Sequence, residues 1–254
     1  MTKAVAPMST RTELDGIDGI VLDAVGTLIE PAPSVAAAYE AAALRQGVAL
    51  DRAEVRSRFV RHFGDDDADD LRGPLATDER RERDRWRRIV DGVLPEVPDP
   101  ARAFAELWDH FGRPDAWRPF DDVDPALARL GSAGIAVRVA SNFDGRLRGV
   151  LRGLPGLAAL ADGVVISSEV GYRKPHPSFY RAACASLGLP TGRVLCVGDE
   201  DENDRQGPRR AGLRAVLIDR DGRSPAGPGS LPGLGALVDR LVGAGCGTVG
   251  RRDR

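Results

Sequence analysis

Four short stretches of the 254-residue sequence carry side chains suited to handling a phosphate: GIVLDAVGTLIEP (19–31), AVRVASN (136–142), GYRKPHPSF (171–179) and VGDEDEND (197–204). Phosphoryl transfer needs a nucleophile in line, a cation against the phosphate charge, and fixed donors on the non-reacting oxygens. Asp23 is a carboxylate nucleophile. The turn Ala24-Val25-Gly26-Thr27 can aim backbone N–H groups at an anion. Ser141 offers a hydroxyl and Asn142 a neighbouring N–H. Asp199 suits Mg²⁺, a hard ion that prefers carboxylate oxygen and keeps several waters, and Asp204 is placed to take one of those waters. Lys174 stands out by composition: of 36 basic residues only Lys3 and Lys174 are lysines. Where charge alone sufficed this chain used arginine, so a lysine inside the folded region implies a need for a compact ammonium.

These residues need elements that bring them together. GIVLD is a short apolar run closed by an acid, as in a buried parallel strand with Asp23 at its carboxyl end. Residues 34–110 read as helical (SVAAAYEAAALRQG, DRAEVRSRFVRHFG, ERRERDRWRRIVDGV, DPARAFAELWDHFG), with Asp51 and Asp99 as N-caps. The acidic run DDDADD (65–70) between them reads as a solvated loop, and RRERDRWRR (80–88) as a charged helix face. Past Phe120 strands and helices alternate: AVRVASN, GVVISSE, RVLCVGDE and RAVLIDR are strands, and 221–234, rich in Gly and Pro, is a loop. Such βαβ repetition predicts an α/β fold with a Rossmann-like parallel sheet, whose ligands lie beyond the carboxyl ends of the strands. Asp23, Ser141-Asn142, Glu169 and Asp199 are expected there.

Composition narrows the partners. A net charge of -2 leaves no footprint for nucleic acid or an anionic membrane. No apolar run is long enough for a membrane span, and residues 1–15 contain no apolar targeting core. Cys184, Cys196 and Cys246 lack metal-like spacing, which fits a reducing cytoplasm. Trp86, Trp108 and Trp117 read as packing residues and His176 as structural.

In order along the chain, DAVGTL (23–28), VRVASN (137–142), the lysine-proline pair in GYRKPHPSFY (171–180) and GDEDEND (198–204) resemble the four motifs of the haloacid dehalogenase (HAD) superfamily. Together with SNFDGRL and QGPRRAG they are most similar to its domain-containing protein 3 subgroup. The resemblance implies a HAD core over 16–32 and 116–245, an inserted helical cap of the first type over 33–115, and tails over 1–15 and 246–254. It implies Asp23 as nucleophile, Lys174 as its catalytic partner, and phosphate binding by Ser141, Asn142, Gly26, Thr27 and Lys174. A Mg²⁺ would be held by Asp23, the Val25 carbonyl, Asp199 and, in support, Asp204. The implied partner is a small phosphorylated metabolite, and the implied state a monomer or homodimer. One departure matters: Val25 stands where the family carries the carboxyl group that protonates the leaving oxygen. General acid-base catalysis is worth about 10²- to 10⁴-fold, so a slow phosphatase is expected. The alternatives are a 2-haloacid dehalogenase-type hydrolase, against which GDEDEND argues because that chemistry needs no metal, or a catalytically weakened binding protein.

Overall fold

The computed structural model describes residues 14–222 and 230–243. The expected tails, apart from Leu14 and Asp15, and with them Lys3 and Cys246, lie outside the described residues. In chain order the elements are β1 (Gly19–Leu22), β2 (Ile29–Pro31), α1 (Val35–Leu44), α2 (Arg52–Arg72), α3 (Glu79–Val93), α4 (Pro100–Phe111) and β3 (Trp117–Pro119). There follow α5 (Val123–Ser132), β4 (Ala136–Ser141), α6 (Arg146–Gly153), β5 (Val165–Ile166), α7 (Ser167–Val170) and α8 (Pro177–Leu187). The chain continues through β6 (Val194–Gly198), α9 (Gly207–Arg210), β7 (Arg214–Ile218), β8 (Ser230–Leu231) and α10 (Leu234–Gly243).

Six strands form one parallel sheet in the order β5-β4-β1-β6-β7-β8. β1 lies between β4 and β6, with Leu22 level with Val139 on one side and Val197 on the other. Its four residues and the five of β6 are all buried, as apolar runs covered on both faces should be. One apolar cluster holds Leu22, Leu130, Leu147 and Leu237, and a second, across the sheet, holds Val21, Phe179, Tyr180 and Cys196. The expected Rossmann-like architecture is therefore present. Among the described residues no helix is long and apolar enough to cross a membrane.

α1–α4 form a helical insert with an apolar cluster of its own, centred on Tyr39, Ile89, Val93 and Phe104. Ser34, Asp51, Asp78 and Asp99 cap the four helices, each accepting a backbone N–H in the first turn. The chain enters by β2 and leaves by β3, which pair antiparallel, Pro31 opposite Trp117.

Three local expectations need correction. DDDADD is no loop but the last turns of α2. Aspartate disfavours a helix interior, and here Asp66 and Asp67 bond Arg85, Asp66 bonds Arg88, and Asp67 and Asp70 face Arg173. GVVISSE is strand only at Val165–Ile166: the Ser167 hydroxyl donates to the Phe143 carbonyl and accepts its N–H, and the chain turns into α7. The predicted loop over 221–234 contains β8, whose Leu231 pairs with Ile218, and the start of α10.

Candidate active site

The carboxyl ends of β1, β4 and β6 deliver Asp23, Ser141 and Asp199 to one place, and Lys174 reaches it from the loop before α8. The Asp23 N–H donates to the Val197 carbonyl at 2.8 Å, tying that backbone to the neighbouring strand. Lys174 is 5% exposed, and its Nζ donates to Asp23 Oδ1 at 2.7 Å and Asp204 Oδ1 at 2.8 Å. Asp23, Asp199 and Asp204 each offer an oxygen, and these oxygens all lie within 4.8 Å of one another.

The sequence-predicted residues divide by what their side chains touch. Asp23, Val25, Gly26, Ser141, Asn142, Lys174, Asp199 and Asp204 border a single cavity of about 290 Å³. Thr27 does not. It is fully buried and its hydroxyl donates to Asp199 Oδ1 at 3.2 Å, so its side chain positions Asp199 and does not meet a ligand. Gly26 has φ +83°, a conformation that favours glycine, and a Cβ there would collide with the Asp199 carboxylate. The Asn142 amide clamps Lys174, accepting from its N–H at 2.7 Å and donating to its carbonyl at 3.2 Å. Asp204 spends Oδ1 on Lys174 and Oδ2 on the Glu200 N–H. His176 Nδ1 accepts from the Ser178 N–H as the cap of α8, and its ring stacks on Tyr172. Glu169, expected near the strand ends, sits in α7 paired with Arg148 and does not border the cavity.

Electrostatically the site is overloaded with negative charge. Burial, and then the Asp23, Asp204 and Glu200 carboxylates, push the Asp199 carboxyl up to about 8. Burial likewise raises Asp204, to about 6, against the pull of Lys174. Burial opposes the Lys174 ammonium, but Asp204 and Asp23 outweigh it and hold the group above the ordinary lysine range. Converging hard oxygens from Asp23 and Asp199 amid a surplus of buried carboxylate suit Mg²⁺, whereas both oxygens of Asp204, expected to support the ion, are engaged by Lys174 and the Glu200 N–H.

Sequence reasoning missed most of the cavity's other wall. All three tryptophans, Trp86, Trp108 and Trp117, border it, joined by the phenylalanines at 59, 63, 104, 111 and 143. Phe59 stacks on Phe63 at 5.6 Å, Phe63 meets Trp86 at 6.0 Å, and Trp117 meets Phe143 at 6.0 Å. The insert is fastened over this chamber beside Lys174. Arg173, 5% exposed, donates to both oxygens of Glu82 at 2.9 Å, and Glu82, 1% exposed, also accepts from the Thr77 hydroxyl at 2.7 Å. Glu79 accepts from the Gly145 N–H at 2.9 Å and the Ser168 hydroxyl at 2.5 Å.

Residues 17–212 match the family described as haloacid dehalogenase-like hydrolase. The chain belongs to that family. Among its curated relatives, the haloacid dehalogenase-like hydrolase domain-containing protein 3 of Danio rerio is 32% identical over 53% of this chain and 57% of its own length. A phosphoserine phosphatase of Thermus thermophilus is also 32% identical, over 58% of this chain and 59% of its own. The chain thus spans little more than half the length of these curated relatives. The crystal structure of the defluorinating L-2-haloacid dehalogenase Rha0230 superposes with a TM-score of 0.70 over 89% of this chain and 95% of that one, at 19% identity, a likeness of fold alone. Phosphatases and dehalogenases of the HAD family thus share this scaffold, and the side chains must distinguish them.

Proposed function

We propose that this HAD-family protein is a Mg²⁺-dependent phosphate monoester hydrolase acting through an aspartyl-phosphate at Asp23. One observation carries the reading: oxygens of Asp23, Asp199 and Asp204 lie within 4.8 Å of one another in one cavity, with a buried Lys174 bonded to Asp23 and Asp204. Asp23, Asp199 and the Val25 carbonyl would hold the ion, which when bound offsets the charge on the phosphate oxygens. An Asp23 carboxylate oxygen forms the new bond to phosphorus as the ester P–O bond breaks, and water then cleaves the acyl phosphate. Lys174 neutralises Asp23 and, with Ser141, holds the phosphate. Residues 33–115 act as a cap that excludes water. Val25 gives the leaving oxygen no proton, so that proton comes from solvent. The named phosphatase relatives agree with this class of reaction.

Asp23→Asn removes the nucleophile and is expected to abolish turnover of acetyl phosphate, as is chelation of the metal in the wild type. Near-normal turnover by Asp23→Asn, or halide release from a 2-haloacid without Mg²⁺, would overturn the reading.

A further inference from the structure

The cavity has two unlike ends. One is the carboxylate and lysine cluster, and the other is built from every tryptophan of the chain and five of its seven phenylalanines. Aromatic residues make up only 5% of the sequence. Packing does not use them up, since Phe59, Phe63, Trp86 and Trp108 are only partly buried and border the cavity. Ring faces and edges of this kind favour another aromatic ring.

Charge removes the competing substrates. Among the described residues four cations border the cavity, Arg85, Arg146, Arg173 and Lys174. Arg85 is paired with Asp66 and Asp67, and Arg173 with Glu82. Arg146 binds both oxygens of Asp144 at 2.7 Å while lying over the Trp108 ring. Lys174 is held by Asp23 and Asp204. Away from Lys174, a second anionic group on the substrate would meet Asp67 or Glu200, and among the described residues the arginines that border the cavity each already hold a carboxylate. That argues against phosphorylated amino acids and hydroxy acids. Val25 adds an independent constraint: its side chain offers the leaving oxygen no proton, which favours an alcohol that departs with little protonation, as a phenol does and an alkyl alcohol does not.

Resting on the phosphoryl-transfer reading above, we propose that the substrate is the phosphate monoester of a phenol, a compact aromatic ring bearing no further charge. The ring occupies the chamber between α2, α3 and α4, the phosphate meets Lys174 and Ser141, and the phenolate leaves past Val25. A cavity of about 290 Å³ lies at the small end of ligand pockets, a size that suits a compact ring.

Four compounds test this with the full chain and Mg²⁺. Acetyl phosphate has an easy leaving group and no ring, phenyl phosphate has both, O-phosphotyrosine adds charges to the same phenol, and O-phosphoserine has charge without a ring. Phenyl phosphate should exceed O-phosphotyrosine in kcat/KM by at least about tenfold and O-phosphoserine by about a hundredfold. Trp86→Ala should lower kcat/KM for phenyl phosphate about tenfold more than for acetyl phosphate. Binding is read without turnover from tryptophan fluorescence: phenylphosphonate should quench it at concentrations where methylphosphonate does not. Turnover of acetyl phosphate with no preference for phenyl phosphate over O-phosphoserine overturns this inference and leaves the hydrolase reading standing. Equal effects of the two phosphonates would overturn it as well. Failure to cleave any of the four compounds overturns the reading beneath it.

Discussion

At the scale of single residues, Val25 decides more than any side chain beside it. Under the proposed reaction it keeps its backbone carbonyl for the ion and offers the leaving oxygen no carboxyl group, so wild-type rates should climb with the acidity of the leaving alcohol. Val25→Asp should flatten that dependence and speed alkyl phosphates within the roughly 10²- to 10⁴-fold range of general acid-base catalysis. A series of esters graded by leaving-group acidity checks both, and a folded variant with an unchanged slope would mean that another group already supplies the proton. Asp23, Ser141 and Asp199 were legible in the sequence because each ends or follows an apolar strand at its carboxyl end, where ligands bind, and Lys174 because it is one of only two lysines among 36 basic residues. Thr27 was not. Its hydroxyl turns to Asp199 because Gly26, at φ +83°, folds the turn onto that carboxylate, a contact between residues far apart in the chain.

At the scale of elements, α2 shows why a charge pattern misleads when its partners are distant. DDDADD looks solvated beside its immediate neighbours, yet Arg85 and Arg173, which neutralise it, come from α3 and from the loop ahead of α8. The same loop carries Lys174, so the ion network both fastens the insert and steadies a group of the site. Breaking a buried pair strands the surviving charge. Glu82→Leu alone or Arg173→Met alone should each cost about 3–5 kcal/mol, and the double variant far less than the sum. Urea unfolding of the three variants measures the coupling, and additive losses would show the two side chains to be independent. The aromatic chamber was equally hidden, since its members are scattered from α2 to the turn before α6 and individually read as ordinary packing.

For the whole molecule, the crowded carboxylates tie stability to pH. Asp199 titrates from its ordinary 3.8 up to about 8 in the fold, and Asp204 up to about 6. Between those limits the native state holds more protons than the unfolded chain, so metal-free stability falls as pH rises through the window. The Mg²⁺ of the proposed reaction would bind the ionised carboxylates, so its stabilising effect should grow in the same direction. Thermal unfolding in a chelator should give a lower Tm at pH 8 than at pH 5.5, with the larger Mg²⁺-induced increase at pH 8; a chelated protein more stable at pH 8 would contradict the site's charge balance. The parallel sheet was legible from βαβ alternation, and so were the helices between residues 34 and 110 from their sequence pattern. The sheet's strand order also has a consequence in time. β1 stands at the centre of the sheet, but its partners Ala136 and Val194 come far later in the chain, whereas α1–α4 touch mostly one another. Contacts between near neighbours form before distant ones, so during synthesis the helices take shape while β1 waits unpaired. The aspartate made among the first residues of the core is then among the last to reach its place, and pulse-labelled hydrogen exchange should find β1 amides protected after those of α3 and α4.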